Sequence, residues 1–197
     1  EIPLRLVGSE MCIRDSSWNI QAGTDGSVST RGWEVYPCSG AEDYFEPAIR
    51  VLHNDGNPSL LLKYVSHETR KIDDNVTETV ITLQDDKYPV EVKLFFTTFA
   101  KENIIKERTE IKHQEKKPIT LYNYASSLLH LNADHYWLTE FSGEWAHEAN
   151  MTERQLDFGK KIIDTKLGVR ANMFCSPFFF LSLNQPCLLY TSPSPRD

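Results

Sequence analysis

The sequence lacks the patterns that mark several classes of protein. Its 197 residues contain no apolar run close to the roughly 20 residues that a membrane-spanning helix requires. The four cysteines include no C-x-x-C pair, so neither zinc-ligand spacing nor a disulfide framework is indicated. There are 21 Lys and Arg against 28 Asp and Glu, and the formal charge of -7 argues against the basic face that nucleic acids require. We therefore expect a globular protein with no membrane span and no nucleic-acid partner.

Motifs for cofactors and metals are also missing. No serine lies in a G-x-S-x-G turn, and no glycine-rich phosphate loop is present. The six histidines have neither H-x-x-x-H nor H-E-x-x-H spacing, so we expect them at strand ends or on the surface. Asn75-Val76-Thr77 and Asn150-Met151-Thr152 match glycosylation sequons, a pattern that is common by chance. The sequence predicts no cofactor and no metal site.

The residues that are present favour antiparallel strands. Ten Phe, eight Tyr and four Trp are enough to fill a sizeable core. In Val90–Thr98 apolar residues at every second position predict a strand with one buried face, and no segment shows a sustained helical stripe. The predicted strands are Ala48–Leu52, Leu60–Ser66, Thr77–Leu83, Val90–Thr98, Ile104–His113, Thr120–Leu131, Tyr136–Phe141, Lys160–Asp164 and Phe178–Leu183. We predict an all-β fold, a large antiparallel β-sandwich (supersandwich) of about eight or nine strands.

Polar turns separate these strands. Asp55-Gly56 predicts a tight hairpin between the first two strands, because this pair readily adopts positive φ values. Asp73–Asn75, Asp85–Lys87 and Asn103 mark further turns, and Gln114–Pro118 is interpreted as a solvated hairpin loop. Cys38 and Cys175 are expected to be reduced, buried thiols that pack like small apolar side chains.

Both ends of the chain resemble translated sequencing-adapter DNA. Within residues 1–16, EIPLRLVGSEMCIRDS, the stretch Leu6–Ser16 matches one strand of a transposase adapter, and Cys187–Asp197, CLLYTSPSPRD, matches its reverse complement. Such fusion scars are excluded from fold reasoning. We therefore expect residues 1–16 and 186–197 to be artefacts and residues 17–185 to form one β-sandwich domain. Its last predicted strand has no continuation, so we expect a sandwich truncated on its C-terminal side.

Short motifs along residues 17–185 together resemble the N-terminal domain of bacterial glycoside hydrolase family 36 α-galactosidases. Each is weak alone, and the case rests on their order and spacing. The motifs are Tyr36-Pro37, Asp43-Tyr44-x-x-Pro47-Ala48, Tyr64-Val65-Ser66-His67-Glu68, Tyr88-Pro89-Val90, Asn103-Ile104-Ile105, Leu138-Thr139-x-Phe141-x-Gly143-x-Trp145-Ala146 and Phe179-Phe180-Leu181-Ser182-Leu183.

The resemblance implies an activity and a place for its chemistry. The implied activity is hydrolysis of terminal α-linked galactose with retention of configuration, with α-galactoside oligosaccharides as substrates. Retention requires a nucleophile and an acid/base carboxylate about 5–5.5 Å apart. In the family both are aspartates of a (β/α)₈ barrel that follows this domain, so no catalytic residue is expected in this chain.

Two residues inherit candidate substrate contacts from the resemblance. Trp145, after Gly143, corresponds to a tryptophan in the wall of the galactose pocket. Asp43 lies in a loop that, in tetrameric bacterial members, reaches the active site of a neighbouring subunit. The family often has Arg after the Asp-Tyr pair, where this chain has Phe45, which puts the contact of that Arg in doubt. A turn residue at Asp43 and a core Trp145 are the structural alternatives.

Two other functions remain open at this point. A carbohydrate-binding β-sandwich module would act alone through a row of exposed aromatic side chains. The same domain could also belong to an enzyme acting on α-linked N-acetylgalactosamine. The sequence fixes no location, and a bacterial cytoplasm or periplasm fits equally.

Overall fold

The computed structural model describes residues 35–39, 46–129, 131, 135–145, 147–157, 159–164 and 174–185. The two adapter-like ends and Asp43 lie outside these ranges. Within them the chain forms nine β-strands and no helix. The pairings between these strands are antiparallel, and the all-β fold class predicted from the sequence is therefore confirmed.

The strands divide between two compact units, one up to Leu131 and one from Asn132. The first unit contains β1 (Ile49–Leu52), β2 (Leu62–Lys71), β3 (Val76–Asp85), β4 (Val90–Phe99), β5 (Ile104–His113) and β6 (Thr120–Tyr124). The second contains β7 (Tyr136–Glu144), β8 (His147–Gln155) and β9 (Cys175–Leu183).

The first unit is a small sandwich of two sheets. One sheet has the order β2-β3-β4-β5, and the other pairs β1 with β6. Alternate residues of β4, Val90, Val92 and Leu94, are buried as the sequence predicts. They share one core cluster with Ile49 and Val51 of β1, so the two sheets pack face to face.

The second unit is a three-stranded sheet with the order β8-β7-β9. Leu138 and Thr139 of the central strand are both buried, although neighbouring residues on a strand point to opposite faces. Phe141, Phe178 and Phe180 form an aromatic cluster, with ring centroids 5.2–6.0 Å apart. This sheet carries the β7–β8 turn in which Trp145 lies.

Three sequence-based expectations differ from the structure in their details. Thr120–Leu131 was predicted as one long strand, but β6 ends at Tyr124 because its partner β1 has only four residues. Lys160–Asp164 forms no strand, because both sides of β7 already pair with β8 and β9. The strand β8 was not predicted, since its sequence HEANMTERQ lacks apolar alternation.

Two predicted hairpin loops prove to be connections between sheets. Gly56 has the expected positive φ of 86°, but β1 pairs with β6 and β2 pairs with β3, so the Asp55-Gly56 turn joins different sheets. Gln114–Pro118 likewise leads from β5 of one sheet to β6 of the other. The turns at Asp73–Asn75, Asp85–Lys87 and Asn103 connect neighbouring strands as predicted, and Asn103 has a φ of 56°.

Candidate functional site

The turn between β7 and β8 presents Trp145 to solvent. Its side chain is 89% exposed, and it follows directly after Glu144, which pairs with His147 of β8. A register shift between Ser142 and Glu144 marks a bulge just before the turn. An indole exposed to this degree is not part of the core of this chain. Its flat face is available to stack on a ring such as a sugar.

A buried polar cluster lies where the chain crosses between the two sheets of the first unit. His53, directly after β1, is 2% exposed, and its Nδ1 lies 2.6 Å from Glu115 Oε1. Its Nε2 lies 3.0 Å from the carbonyl oxygen of Ser59. The backbone N–H and the side-chain amide of Asn54 also donate to Glu115 Oε2. The cluster thus holds the β1–β2 connection against the β5–β6 connection.

The hydrogen bonds of this cluster define its charge. Burial alone would raise the pKa of Glu115, but the hydrogen bonds from His53 and Asn54 hold it below its usual value. Glu115 is therefore an ionised acceptor, and the carbonyl of Ser59 can only accept. His53 contacts this carboxylate through one ring nitrogen and the Ser59 carbonyl through the other. The contact between His53 and Glu115 crosses 62 residues of sequence.

A second carboxylate organises the adjacent turn. Asp85 is 7% exposed, and its Oδ2 accepts a hydrogen bond from the N–H of Leu61 at 2.6 Å. Its Oδ1 accepts from the backbone N–H groups of Lys87 and Tyr88. Burial favours the neutral acid, but these three donors outweigh it and lower the pKa of Asp85. Asp85 is therefore a structural anion that caps a loop.

Glu107 on β5 has the opposite electrostatic character. Partial burial raises the pKa of its carboxyl group, and a hydrogen bond with Ser127 offsets only part of that effect. Tyr36, Phe96 and Leu128 line a shallow depression next to it. A carboxyl group of this kind is a candidate proton donor on electrostatic grounds.

No metal centre emerges from the described residues. Within 35–39, 46–129 and the later described ranges, no group of three or more His, Cys, Asp and Glu side chains could hold a metal ion. Cys38 is buried and Cys175 half-buried, and neither is in a disulfide. The same part of the chain contains no helix that is long and apolar enough to cross a membrane.

Of the site residues proposed from the sequence, the structure describes Trp145 but not Asp43. Trp145 lies at an exposed turn, while Asp43 and its neighbour Phe45 fall outside the described residues. Sequence reasoning missed the pairing of His53 with Glu115, since it assigned Glu115 to a solvated hairpin loop. No local pattern signals a contact between two connections so far apart in sequence.

Comparison with known proteins decides the family. The family model described as "Glycosyl hydrolase family 36 N-terminal domain" matches residues 9–186. The chain belongs to this family. The match covers the whole segment 17–185 and the last eight residues of the adapter-like segment 1–16.

Curated relatives of the family 36 domain are α-galactosidases. Alpha-galactosidase C of Emericella nidulans is 25% identical over 159 residues, covering 74% of this chain and 21% of the relative. Alpha-galactosidase Mel36A of Lactobacillus acidophilus is 22% identical over 183 residues, covering 85% of this chain and 25% of the relative. The family 36 domain thus spans about a fifth to a quarter of the length of these relatives.

Solved structures show the same fold. The α-galactosidase AgaA of Geobacillus stearothermophilus superposes with a TM-score of 0.72 at 21% identity, over 88% of this chain and 26% of AgaA. The α-galactosidase of Lactobacillus brevis gives a TM-score of 0.71 at 22% identity, over 80% of this chain and 23% of that protein. Variants of AgaA have been solved in complex with stachyose and with raffinose. At these identities the likeness establishes the fold of the family 36 domain.

Proposed function

We propose that this chain is the accessory N-terminal β-domain of an α-galactosidase that hydrolyses terminal α-linked galactose with retention. The observation that carries the proposal is the family match across residues 9–186, together with relatives named as α-galactosidases. The substrates are α-galactoside oligosaccharides of the stachyose and raffinose kind, which bind to the similar protein AgaA. The domain shapes the substrate pocket and the oligomer, and the catalytic aspartates belong to a barrel domain that this chain does not contain.

The chemistry of two described carboxylates, Asp85 and Glu115, supports an accessory role. Retention requires two carboxylates free to act on one glycosidic bond, about 5–5.5 Å apart. Asp85 and Glu115 each accept several hydrogen bonds from loop residues. These bonds occupy both carboxylates, so neither is free to act on a substrate. Both have lowered pKa values, whereas a general acid needs a raised one. These two groups therefore hold the fold together.

Trp145 is proposed as part of the wall of the galactose pocket. Its exposure is the supporting observation, because a stacking residue must present a ring face to the ligand. Turns on a rigid sheet are also where binding residues gather. Asp43 is proposed to contact the sugar bound in a neighbouring subunit of a homotetramer, on the strength of the family resemblance alone.

The alternative of an independent carbohydrate-binding module has one supporting observation. Tyr122 and Tyr124 of β6 are 66% and 59% exposed, as the aromatic residues of such a module would be. Titration of the isolated chain with raffinose in a calorimeter separates the two functions. The accessory role predicts no detectable heat of binding, because most of the pocket belongs to the barrel. Saturable binding that is lost in Tyr122→Ala would replace the proposal with the binding module.

The third candidate, an enzyme acting on α-linked N-acetylgalactosamine, shares this domain and differs in the barrel. Kinetic comparison of nitrophenyl α-galactoside with nitrophenyl α-N-acetylgalactosaminide in the full-length enzyme decides between them. The proposal predicts the larger kcat/KM for the galactoside. A larger kcat/KM for the acetamido sugar would instead assign the chain to an enzyme acting on α-linked N-acetylgalactosamine.

A further inference from the structure

The side chain of Asn150 forms a bridge within β8, back to His147, the first residue of that strand. Its Nδ2 lies 2.9 Å from the ring Nδ1 of His147 and 3.2 Å from the carbonyl oxygen of the same residue. A carboxamide nitrogen carries two hydrogens, and both therefore have acceptors on His147. Asn150 itself pairs with Ser142 across the ladder, so the bridge holds the first residues of β8 against a residue that is already paired with β7.

The backbone around this bridge is irregular. The β7–β8 register shifts between Ser142 and Glu144, and Ala149 has a φ of 56°, in the left-handed region that side chains with a Cβ rarely adopt. Residues are kept in such conformations only where surrounding contacts enforce them. The Asn150 side chain supplies such a contact.

Trp145 lies between the two residues that close this turn, Glu144 and His147, which pair with one another. With 89% of its side chain exposed, Trp145 has almost no packing of its own to fix its direction. Its orientation therefore depends on the backbone that carries it. A side chain that is ordered before binding loses less conformational entropy on contact with a ligand.

We infer that Asn150 is a positioning residue, which clamps the β7–β8 turn so that Trp145 is held in one orientation toward the substrate. The inference rests on the proposed role of Trp145 as a wall of the galactose pocket. It also gives the Asn150-Met151-Thr152 sequon a structural meaning, because the amide nitrogen that would carry a glycan is occupied by the clamp.

Two variants of Asn150 and one control variant of the 197-residue chain test the clamp. Asn150→Ala removes both hydrogen bonds, and Asn150→Asp keeps the shape but cannot donate to the His147 carbonyl. Thr152→Ala abolishes the same sequon two residues along β8 and leaves the clamp intact. The readouts are ¹⁵N relaxation of the Trp145 indole and amide exchange at His147. Loss of a hydrogen bond predicts about fivefold faster exchange in both Asn150 variants.

The results of the three variants can either support or overturn the clamp. Faster exchange and a more mobile indole in Asn150→Ala and Asn150→Asp, with Thr152→Ala like wild type, support the clamp. No change in the Asn150 variants would overturn it. Equal loosening in Thr152→Ala would also overturn it, since that result assigns the effect to any change on β8.

Kinetics of the full-length enzyme connect the clamp to substrate. We expect Trp145→Ala and Asn150→Ala each to raise KM about fivefold with little change in kcat, and the double variant to resemble Trp145→Ala alone. A raised KM in Trp145→Ala with an unchanged KM in Asn150→Ala would overturn the inference and spare the proposed function. An unchanged KM in Trp145→Ala would instead overturn the pocket role itself, whatever the relaxation data show for the clamp.

Discussion

The imidazole of His53 lies flat against the phenol ring of Tyr88, with ring centroids 3.5 Å apart and an interplanar angle of 9°. The edge of the same imidazole donates to Glu115, and the Tyr88 hydroxyl donates to Asp55 at 2.9 Å. One histidine thus links the β1–β2 connection, the β3–β4 turn and the β5–β6 connection.

The stability of the first unit is expected to depend on the buried contact between His53 and Glu115. Glu115→Ala leaves the buried ring of His53 and the N–H of Asn54 without their acceptor, and should lower the free energy of unfolding by about 2–3 kcal/mol. Asp86→Ala, which breaks the exposed pair with Lys63, is the control and should leave stability unchanged. Urea unfolding followed by circular dichroism measures both. Equal effects of the two variants would show that the His53–Glu115 pair has no special role.

Acid should weaken the fold through Asp85 and Glu115. Both carboxyl pKa values are lower in the folded state than their usual values. Their contribution to stability is therefore complete above the unfolded-state pKa, near 4, and is lost as the pH falls below it through the folded-state pKa. Urea midpoints measured between pH 7 and about pH 3 should fall most steeply below about pH 4. Asp85→Asn should lower stability at pH 7 and make the decline shallower. A wild-type curve that stays flat below pH 4 contradicts this prediction.

The sequence was sufficient for the elements that depend on local pattern. Alternation at Val90, Val92 and Leu94 revealed the buried face of β4, and Asp85 and Asn103 marked real turns. Pairing between distant strands was harder, because β1 resembles the first strand of a hairpin and yet pairs with β6, about 70 residues away. The His53–Glu115 pair follows from that non-local pairing and left no signal in the sequence.

For the candidate site, too, the sequence supplied one part and the structure another. The resemblance supplied Trp145, and the structure adds its exposure and the Asn150 clamp, neither of which a motif encodes. The β8 strand that carries Asn150 went unpredicted because its solvent-facing residues show no apolar alternation. Residues that position others through hydrogen bonds are therefore visible only once the fold is known.

Trp145 should affect substrate binding and not folding. In the full-length enzyme Trp145→Ala removes a stacking surface present in both ground and transition states, so KM should rise more than kcat falls. Its high exposure predicts an unchanged melting temperature. Trp145→Phe retains an aromatic face and should recover part of the affinity. A lowered melting temperature with an unchanged KM would assign Trp145 to packing.

Asp43 should act across a subunit boundary. In the proposed tetramer Asp43→Ala removes an acceptor for a sugar hydroxyl bound in the neighbouring subunit, so kcat/KM should fall while the oligomeric state is kept. Mixed tetramers of Asp43→Ala subunits and subunits with an inactivated barrel distinguish a contact between subunits from a contact within one subunit. Only a contact between subunits restores activity on mixing. Unchanged kinetics in the homogeneous Asp43→Ala tetramer would leave Asp43 as a turn residue.

The most direct test of an accessory role is hydrolysis of nitrophenyl α-galactoside by the isolated chain and by the full-length protein. Circular dichroism first confirms that the isolated chain is folded. The full-length protein should release nitrophenol, and the folded chain alone should show no rate above buffer. Glu107, with its raised pKa, is the described carboxyl group best suited to act as an acid. Turnover by the isolated chain that disappears in Glu107→Gln, or a full-length protein with no activity on the galactoside, would contradict the account.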